Sequence, residues 1–387
     1  MTHTSPPLET KLPQVGTTIF TIMSALALEH RAVNLGQGFP DFPVPEPLID
    51  ALERAMREGK NQYAPMVGVP ALRQAIAAKT LRCYGAQVDP DLEVTVTSGA
   101  TEAIFVAIEA VVRPGEEVVV LDPCYDCYGP SIEMAGGRAV HVPLDPTSFA
   151  VDWQRVADAL TPRTRMLMIN SPHNPSGAML DEADLDVLAE LLRGTNVLLL
   201  SDEVYEHIAF DGRRHASVLA HPELAARAFV ISSFGKTYHC TGWKVGYTIA
   251  PPALSAEFRK VLQYVTFCTF TPAQHALAEM VDRHPAHYEG LGAFYQDRRD
   301  AFAGALLRTR FRPLPVHGGY FQLIDYSAVS DEDDRAFCRR LTIDHGVTGI
   351  PLSPFYAAPP PRQRLARLCF AKLPATLDAA IERLARV

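Results

Sequence analysis

The sequence has no long apolar run, no basic cluster and no apolar core close to its first residue. Its longest apolar patches, such as residues 197–200, have the length of a strand, whereas a membrane span needs roughly 20 apolar residues. Residues 1–16 lack the apolar stretch of a signal peptide. A net charge of −8 without a basic cluster argues against nucleic acid as a partner. We therefore expect neither a membrane nor a nucleic-acid partner.

Cysteine is also sparse, with seven residues scattered along the chain. This odd number indicates free thiols in a reducing compartment, and hence a cytoplasmic protein, rather than a disulfide framework. Cys124 and Cys127 form a CxxC pair. A redox or zinc role for this pair would need a suitable helix start or a second pair of ligands, and the sequence shows neither. Chance spacing is the favoured interpretation, and we predict no metal site.

The composition is that of a globular protein with a large core. The 387 residues are 48% hydrophobic and 21% charged, and about 150 residues per domain suggests two or three domains. Apolar strands alternate with helices between residues 94 and 250. This alternation predicts an α/β fold whose central sheet is mostly parallel and covered by helices. We expect a large domain over 46–283 and a smaller α+β domain that combines 1–45 with 284–387.

Polar residues stand at the ends of several of these strands. Ligands bind at the carboxyl ends of strands in parallel α/β sheets. One such residue means little, whereas residues from four segments indicate a shared pocket. The residues are 98–101, Asn174, Asp202, Ser233 and Lys236.

Lys236 follows the apolar run 228–232 and is surrounded by small and polar residues. Its amine suits a Schiff base with the aldehyde of pyridoxal phosphate, a cofactor that acts as an electron sink. The alternative is an ordinary surface lysine, since the chain has 36 Lys and Arg residues. Asp202 follows the unbroken apolar run 197–200 and Ser201. Its carboxylate suits a partner of the pyridine nitrogen of the cofactor, because a nearby negative charge keeps that nitrogen protonated. A helix cap or a core salt bridge is the alternative for Asp202.

The helix predicted to start at residue 98 offers free N–H groups and a positive dipole end to a phosphate, although a plain N-cap is commoner. Ser233 and Lys244 add a hydroxyl and a cation. Tyr125 suits stacking on the cofactor ring, or else core packing. Asn174 and Tyr205 suit hydrogen bonds to the ring hydroxyl.

Arg367 lies inside an apolar strand, residues 365–372. An unpaired arginine there would be costly, and arginine is the residue best suited to hold a substrate carboxylate with two hydrogen bonds. A structural ion pair is the alternative.

These segments resemble the fold-type I, pyridoxal-phosphate-dependent class I/II aminotransferases over nearly the whole chain. Within them, the chain looks closest to the methionine aminotransferase branch, which is related to the kynurenine and glutamine transaminases. The resembling segments are NLGQGFPDF (34–42), NQYAPMVGVPALR (61–73), TSGATEA (97–103), DPCYDCY (122–128), NSPHNPSG (170–177), SDEVYEH (201–207), SSFGKTYHCTGWKVG (232–246) and LARLCFAK (365–372).

The resemblance implies a role for each candidate residue. Lys236 would carry the cofactor and move the substrate proton, with Asp202 and Tyr205 as the other catalytic residues. Tyr63 would reach the phosphate in a neighbouring subunit, so that the active unit is a homodimer. The implied cofactor-binding set is Gly99, Ala100, Tyr125, Asn174, Asp202, Tyr205, Ser233, Lys236, Lys244 and Tyr63. The implied substrate-binding set is Gly36, Asn174, Arg367, Phe20, Phe270 and Phe355.

The implied reaction moves the amino group of an L-amino acid to a 2-oxo acid, with methionine or an aromatic amino acid favoured as donor. A pyridoxal-phosphate lyase of cysteine S-conjugates is the nearest alternative, because it uses the same lysine. A pyridoxal-phosphate-binding regulator ranks lower, because it would need a DNA-binding extension of some 60 or more residues, and the segment before residue 34 is too short for one.

Overall fold

The computed structural model describes residues 9–387, so residues 1–8 of the expected small domain lie outside the described part. The helices are α1 (Ile19–Glu29), α2 (Glu46–Arg57), α3 (Pro70–Tyr84), α4 (Ala100–Val111), α5 (Tyr128–Met134), α6 (Trp153–Ala159), α7 (Glu182–Leu192), α8 (Pro222–Ala225), α9 (Phe234–Thr237), α10 (Pro252–Val265), α11 (Thr271–Arg283), α12 (Pro285–Glu289), α13 (Leu291–Leu306), α14 (Asp334–His345) and α15 (Pro374–Leu384). The strands are β1 (Val33–Asn34), β2 (Val94–Thr97), β3 (Glu117–Asp122), β4 (Arg138–Pro143), β5 (Thr164–Asn170), β6 (Leu198–Asp202), β7 (Ala228–Ser233), β8 (Gly246–Ile249), β9 (Arg312–Pro313), β10 (Phe321–Asp325), β11 (Val347–Thr348), β12 (Ile350–Pro351) and β13 (Leu365–Cys369).

A seven-stranded sheet forms the centre of the molecule, in the order β2-β8-β7-β6-β5-β3-β4. Only β8 runs antiparallel to its neighbours, and the other pairs are parallel. Every residue of β3 and β7 is buried, as expected for strands with helices on both faces. The predicted α/β fold with a mostly parallel sheet is confirmed.

The two faces of this sheet pack into different cores. Val118 and Val120 of β3 join a core with α4, α5 and α10. Val119 and Leu121 face the opposite core, which continues into the C-terminal part of the chain. This alternation follows from the period of two residues in a strand. The sheet is therefore held rigidly from both sides.

A four-stranded antiparallel sheet, β12-β13-β10-β9, lies in the C-terminal part. A two-stranded parallel pair joins β1 to β11. Both sheets bring N-terminal and C-terminal segments close to the carboxyl ends of the central strands. No helix within residues 9–387 is long and apolar enough to cross a membrane.

Some local predictions need correction. The helix expected from residue 98 begins at Ala100, because Gly99 takes a φ of +85° as its N-cap. Strand β4 has no counterpart among the sequence predictions. Most of its residues are partly or fully exposed at the sheet edge, so it lacks the apolar run that identifies the inner strands.

Candidate active site

A cavity of about 370 Å³ opens at the carboxyl ends of the central strands. We call it the central cavity. Residues that follow β2, β3, β5, β6 and β7 line one side of it, and residues of the N-terminal segment and of β10 and β13 line the other. Nine of the predicted cofactor residues lie in its wall, together with two predicted substrate residues. They are Gly99, Ala100, Tyr125, Asn174, Asp202, Tyr205, Ser233, Lys236 and Lys244, with Phe20 and Arg367.

Lys236 lies in the short helix α9, directly after β7. Its Nζ donates a hydrogen bond to the carbonyl oxygen of Gly38 at 3.2 Å, and the same oxygen accepts from the Tyr320 hydroxyl at 2.6 Å. Burial, helped by the nearby charges of Lys244 and Arg367, lowers the pKa of Lys236 from 10.5 to about 8. This amine is not a solvated surface group, and near pH 8 about half of it is neutral and nucleophilic.

Asp202 is the last residue of β6 and is 4% exposed. The Tyr128 hydroxyl donates to its Oδ2 at 2.7 Å. Burial raises the pKa of Asp202 from 3.8 to about 6, while the Tyr128 hydrogen bond opposes that rise. A cationic ring nitrogen in the cavity would stabilise the carboxylate further. Tyr128 was missed in the sequence, although it belongs to the same DPCYDCY segment as Tyr125.

The first turn of α4 and Lys244 meet at one end of the cavity. A Cβ atom at position 99 would lie 3.1 Å from the Nζ of Lys244, so only glycine fits comfortably there. The unpaired N–H groups of a helix start, with a lysine and the nearby Ser233, suit a phosphate. Ser98 does not line the cavity: its N–H and hydroxyl face Glu102 and Thr269.

The aromatic and amide groups between these two ends also face the cavity. The Tyr125 ring packs edge to face on Tyr128 at 6.0 Å, and Tyr205 packs edge to face on Tyr320 at 5.1 Å. Asn174 is oriented by Asn170, whose Oδ1 accepts from the Asn174 backbone N–H at 2.8 Å. Asn170 was missed in the sequence, although it is the last residue of β5 and precedes Asn174 by only four residues.

Arg367 is 1% exposed, in the middle of β13. Its Nη1 donates to Oδ1 of Asn174 at 2.7 Å, and its Nη2 donates to the carbonyl oxygen of Gly36 at 3.0 Å. Its guanidinium carbon lies 3.9 Å from the ring centre of Phe321. Within residues 9–387 its Nε has no hydrogen-bond partner and no carboxylate forms a salt bridge with it. An anionic ligand would supply the missing charge, so the alternative of a structural ion pair does not fit.

The remaining predicted residues lie elsewhere. Phe355 stays a prediction as a pocket residue: its ring is 3% exposed and does not line the cavity, but it lies 5.2 Å from the Arg367 guanidinium. Gly36 contributes its carbonyl to Arg367 without lining the cavity. Tyr63 and Phe270 are 83% and 53% exposed. In a single chain neither of these two rings reaches the cavity.

Comparison with known proteins assigns the chain to a family. The sequence profile of aminotransferases of class I and II matches residues 30–384. The chain belongs to the class I and II aminotransferase family.

Two relatives and two solved structures show how far the similarity extends. Methionine aminotransferase of Escherichia coli (strain K12) is 55% identical over 376 residues, with 97% of each chain covered. The crystal structure of YbdL from E. coli, described as having a methionine aminotransferase function, has a TM-score of 0.97 at 54% identity and covers 99% of this chain and 100% of that chain. The N-succinyldiaminopimelate aminotransferase of Mycobacterium tuberculosis has a TM-score of 0.95 at 42% identity, with coverage of 98% and 100%. Human kynurenine–oxoglutarate transaminase 1 is 34% identical, with 93% of each chain covered.

Members of this family are pyridoxal-phosphate-dependent, and this enzyme is an aminotransferase of that kind. The cavity fits the cofactor: the Gly99 cradle beside Lys244 suits its phosphate, Asp202 suits its ring nitrogen and Lys236 suits its aldehyde. When bound, the cofactor takes up the amino group and withdraws electrons from the substrate Cα.

Proposed function

We propose that the enzyme transaminates L-amino acids with uncharged, fairly apolar side chains, with methionine as a preferred donor and aromatic amino acids as further donors. The relative that is 55% identical is named a methionine aminotransferase. The observation that carries the proposal lies in the cavity itself. Among the residues that the structure describes, every cationic side chain in the cavity wall already has a proposed task. No cation is therefore left to bind a second carboxylate of the substrate.

The cations are Lys236, Lys244 and Arg367. Lys236 is proposed for the cofactor aldehyde, Lys244 for the phosphate and Arg367 for the substrate α-carboxylate. Asp126 also lines the cavity, and its carboxylate would repel an acidic side chain. Donors with a second carboxylate, such as aspartate or an N-succinyl diamino acid, would therefore bind poorly.

The side-chain end of the cavity is apolar and aromatic. Phe20 and Phe321 lie there next to the Arg367 guanidinium, with ring centres 5.1 and 3.9 Å from its central carbon. Phe20 is supported from behind by Phe355 through an edge-to-face contact at 5.8 Å. A thioether or an aromatic ring suits such a surface, because sulfur–aromatic and aromatic pairs are both favourable.

The proposed roles follow from these positions. Arg367, with Asn174 and Gly36 holding its guanidinium, binds the α-carboxylate and orients the Cα–H bond of the donor. The Lys236 amine removes the Cα proton, and its lowered pKa suits a base near neutral pH. Asp202 holds the proton of the ring nitrogen, while Tyr205 and Asn174 donate hydrogen bonds to the ring oxygen. Tyr125 covers the ring.

A homodimer is the proposed active unit, with Tyr63 of one chain at the phosphate site of the other. Exposed aromatic rings support the proposal: Tyr63 is 83% exposed, Tyr264 is 90% exposed, and Phe270 is 53% exposed in the segment whose Thr271 donates to the carbonyl of Gln62. Tyr63 packs edge to face on Phe267 at 5.3 Å, so the loop that carries it is supported. Isolated exposed aromatics are ordinary, but a group of them suits an interface.

The domain boundaries at 46–283 and at 1–45 with 284–387 also stay proposals. They are supported by the position of the central sheet between residues 94 and 249 and of the antiparallel sheet between 312 and 369. The seven cysteines are free thiols in the structure, which supports the proposal of a cytoplasmic location.

A donor panel tests the proposed function. The purified enzyme is given one 2-oxo acid and a series of L-amino acids, and each new oxo acid is measured with Lys236→Ala as the control. We expect methionine, phenylalanine and tyrosine to exceed aspartate and glutamate in kcat/KM by at least about tenfold. Faster turnover of the acidic donors would contradict the proposal. Pyruvate and ammonia released from a cysteine S-conjugate without an acceptor would favour the lyase alternative.

A further inference from the structure

Three side chains of different chemistry converge outside the central cavity: Asp122, Cys124 and His141. Val120 pairs with His141 in the β3–β4 ladder. Asp122 lies two residues beyond Val120 and thus faces the same side of the sheet. Cys124 follows the end of β3. The geometry of the sheet therefore places all three donors together at its edge.

The donor atoms of these side chains lie within 4.8 Å of one another. The Nδ1 of His141 and the Oδ1 of Asp122 are already 2.8 Å apart. Bond lengths of about 2.0–2.3 Å in tetrahedral zinc sites put neighbouring ligand atoms roughly 3.3–3.7 Å apart. The 2.8 Å and 4.8 Å values lie on either side of that range, so a bound cation would move the Nδ1 and Oδ1 atoms slightly apart and draw the more distant donors closer.

We propose that Asp122, Cys124 and His141 form a binding site for a zinc-class divalent cation. One sulfur, one nitrogen and one oxygen ligand are a donor set that zinc accepts, with a solvent molecule in the fourth position. Asp122 and Cys124 are buried, while the His141 side chain is 29% exposed and leaves a path to solvent. On binding, the cation displaces the Cys124 thiol proton into solvent. The His141 ring proton, which Nδ1 donates to Asp122 in the free site, is released from Nδ1 to solvent while Nε2 takes one up, so the imidazole stays neutral and Nδ1 is free to bind the cation. The carboxylate and the thiolate together balance the two positive charges.

Backbone contacts hold two of these ligands in place and connect them to the central cavity. The second carboxylate oxygen of Asp122 accepts from the Ala357 N–H at 2.8 Å, and the Cys124 N–H donates to the Phe355 carbonyl at 2.7 Å. Such outer contacts orient metal ligands. Cys124 precedes Tyr125 in the cavity wall, so a bound cation would stiffen the support of that ring.

The sequence alone led to the opposite expectation. In the sequence Cys124 pairs by spacing only with Cys127, and neither a suitable helix start nor a second pair of ligands is present. The other ligands instead come from the end of β3 and from the edge strand β4, whose mostly exposed residues gave no strand signal. The partner of Cys124 is thus a residue 17 positions away in the sequence, not the nearer cysteine.

Cobalt titration of the untagged, cofactor-loaded enzyme tests the site. We expect one Co²⁺ per chain. A thiolate-to-cobalt charge-transfer band should appear in the difference spectrum against the cobalt-free enzyme, which removes the cofactor absorption. The strong d–d bands of four-coordinate cobalt should appear at longer wavelength than the cofactor bands. Zinc should displace the cobalt. Cys124→Ser should abolish the charge-transfer band. His141→Gln, a change at the partly exposed ligand, should weaken affinity by at least about tenfold.

Cys127→Ser is the matched control, because it removes the other thiol of the CxxC pair and should bind cobalt as the wild type does. The proposal is overturned if the wild type shows no charge-transfer band, if the band survives in Cys124→Ser, or if Cys127→Ser loses it. Should Cys124→Ser not fold, an undiminished affinity in His141→Gln would overturn the proposal on its own.

Discussion

The two ends of the central cavity are built in different ways. The cofactor end consists of residues that follow β2, β5, β6 and β7, such as Gly99, Asp202 and Lys236. The side-chain end brings together Phe20 from α1 and Phe321 from β10, which are far apart in the sequence. The ends of strands in a sheet covered by helices on both faces keep fixed positions. The positions of Phe20 and Phe321, in contrast, depend on how distant segments of the chain pack together. This difference suits a family whose chemistry is constant while its substrates vary.

Lys236→Ala should have the largest effect, because it removes at once the amine proposed for the cofactor and the base for the Cα proton. We expect the transamination rate to fall by at least about 10³-fold. The exposed Lys260, in a surface ion pair with Glu257, offers the matched control Lys260→Ala, which should keep wild-type activity. If Lys236→Ala kept a transamination rate within about tenfold of the wild type, Lys236 would not be the base that removes the Cα proton.

Arg367→Lys should have the next largest effect, at the boundary between the two ends. It keeps the positive charge but loses the planar fork that donates two parallel hydrogen bonds. We expect kcat/KM for L-methionine to fall by about 10²-fold, mainly through KM. The visible absorption of the bound cofactor should not change. An altered cofactor spectrum with an unchanged KM would show that Arg367 serves the other end of the cavity.

Phe20→Ala should affect only the side-chain end. Loss of the aromatic surface beside Arg367 should lower kcat/KM for methionine and phenylalanine by roughly tenfold or more. L-Alanine, which is too short to reach the ring, is the internal control and should be used as well as before. An equal loss with all three donors would mean that Phe20 acts through the position of Arg367 and not through side-chain contact.

Tyr128→Phe should have the smallest effect, and it should appear as a change in pH dependence. The Tyr128 hydrogen bond opposes the rise in the Asp202 pKa that burial causes, to about 6. A raised pKa means that the carboxylate is protonated, and lost as a partner for the ring nitrogen, when the pH falls through about 6. Removing the hydroxyl raises that pKa further.

Cofactor affinity of the apo-enzyme, titrated between acid and neutral pH, checks this expectation. The acid fall in affinity should occur at higher pH in Tyr128→Phe than in the wild type, with a loss of a few-fold near neutrality. The protonation of Lys236 affects both proteins alike, so the difference between the curves isolates Asp202. Superimposable curves would show that Tyr128 does not set the Asp202 pKa.

The contrast between the two ends also explains which residues could be predicted from the sequence. Lys236, Asp202 and Arg367 stand beside or inside apolar strands, where a charged residue is conspicuous, and the central sheet itself follows from those strands. Tyr128 carries no such signal, since its importance comes from its contact with Asp202. Asn170 does end an apolar strand, but its role appears only in its contact with Asn174.

Packing between distant segments explains why the predicted roles of Phe355, Tyr63 and Phe270 stay open. Phe355 is aromatic like a pocket residue but lies behind Arg367, and no sequence pattern distinguishes the two positions. Tyr63 and Phe270 do not line the cavity of a single chain, so their roles stay predictions, and for Tyr63 the prediction needs a second chain whose surface the sequence does not describe. His141 lies on an edge strand without an apolar pattern, which hid its contact with Asp122.

The central claim is that Lys236 alone carries the cofactor and is freed by an uncharged amino donor. Borohydride reduction makes the link between lysine and cofactor permanent, and peptide mass spectrometry then locates it. We predict cofactor on the peptide that contains Lys236, and none on that peptide after prior incubation with L-methionine in the absence of an oxo acid. Cofactor found on Lys244 or another lysine, or a Lys236 adduct that persists after methionine, would contradict the account.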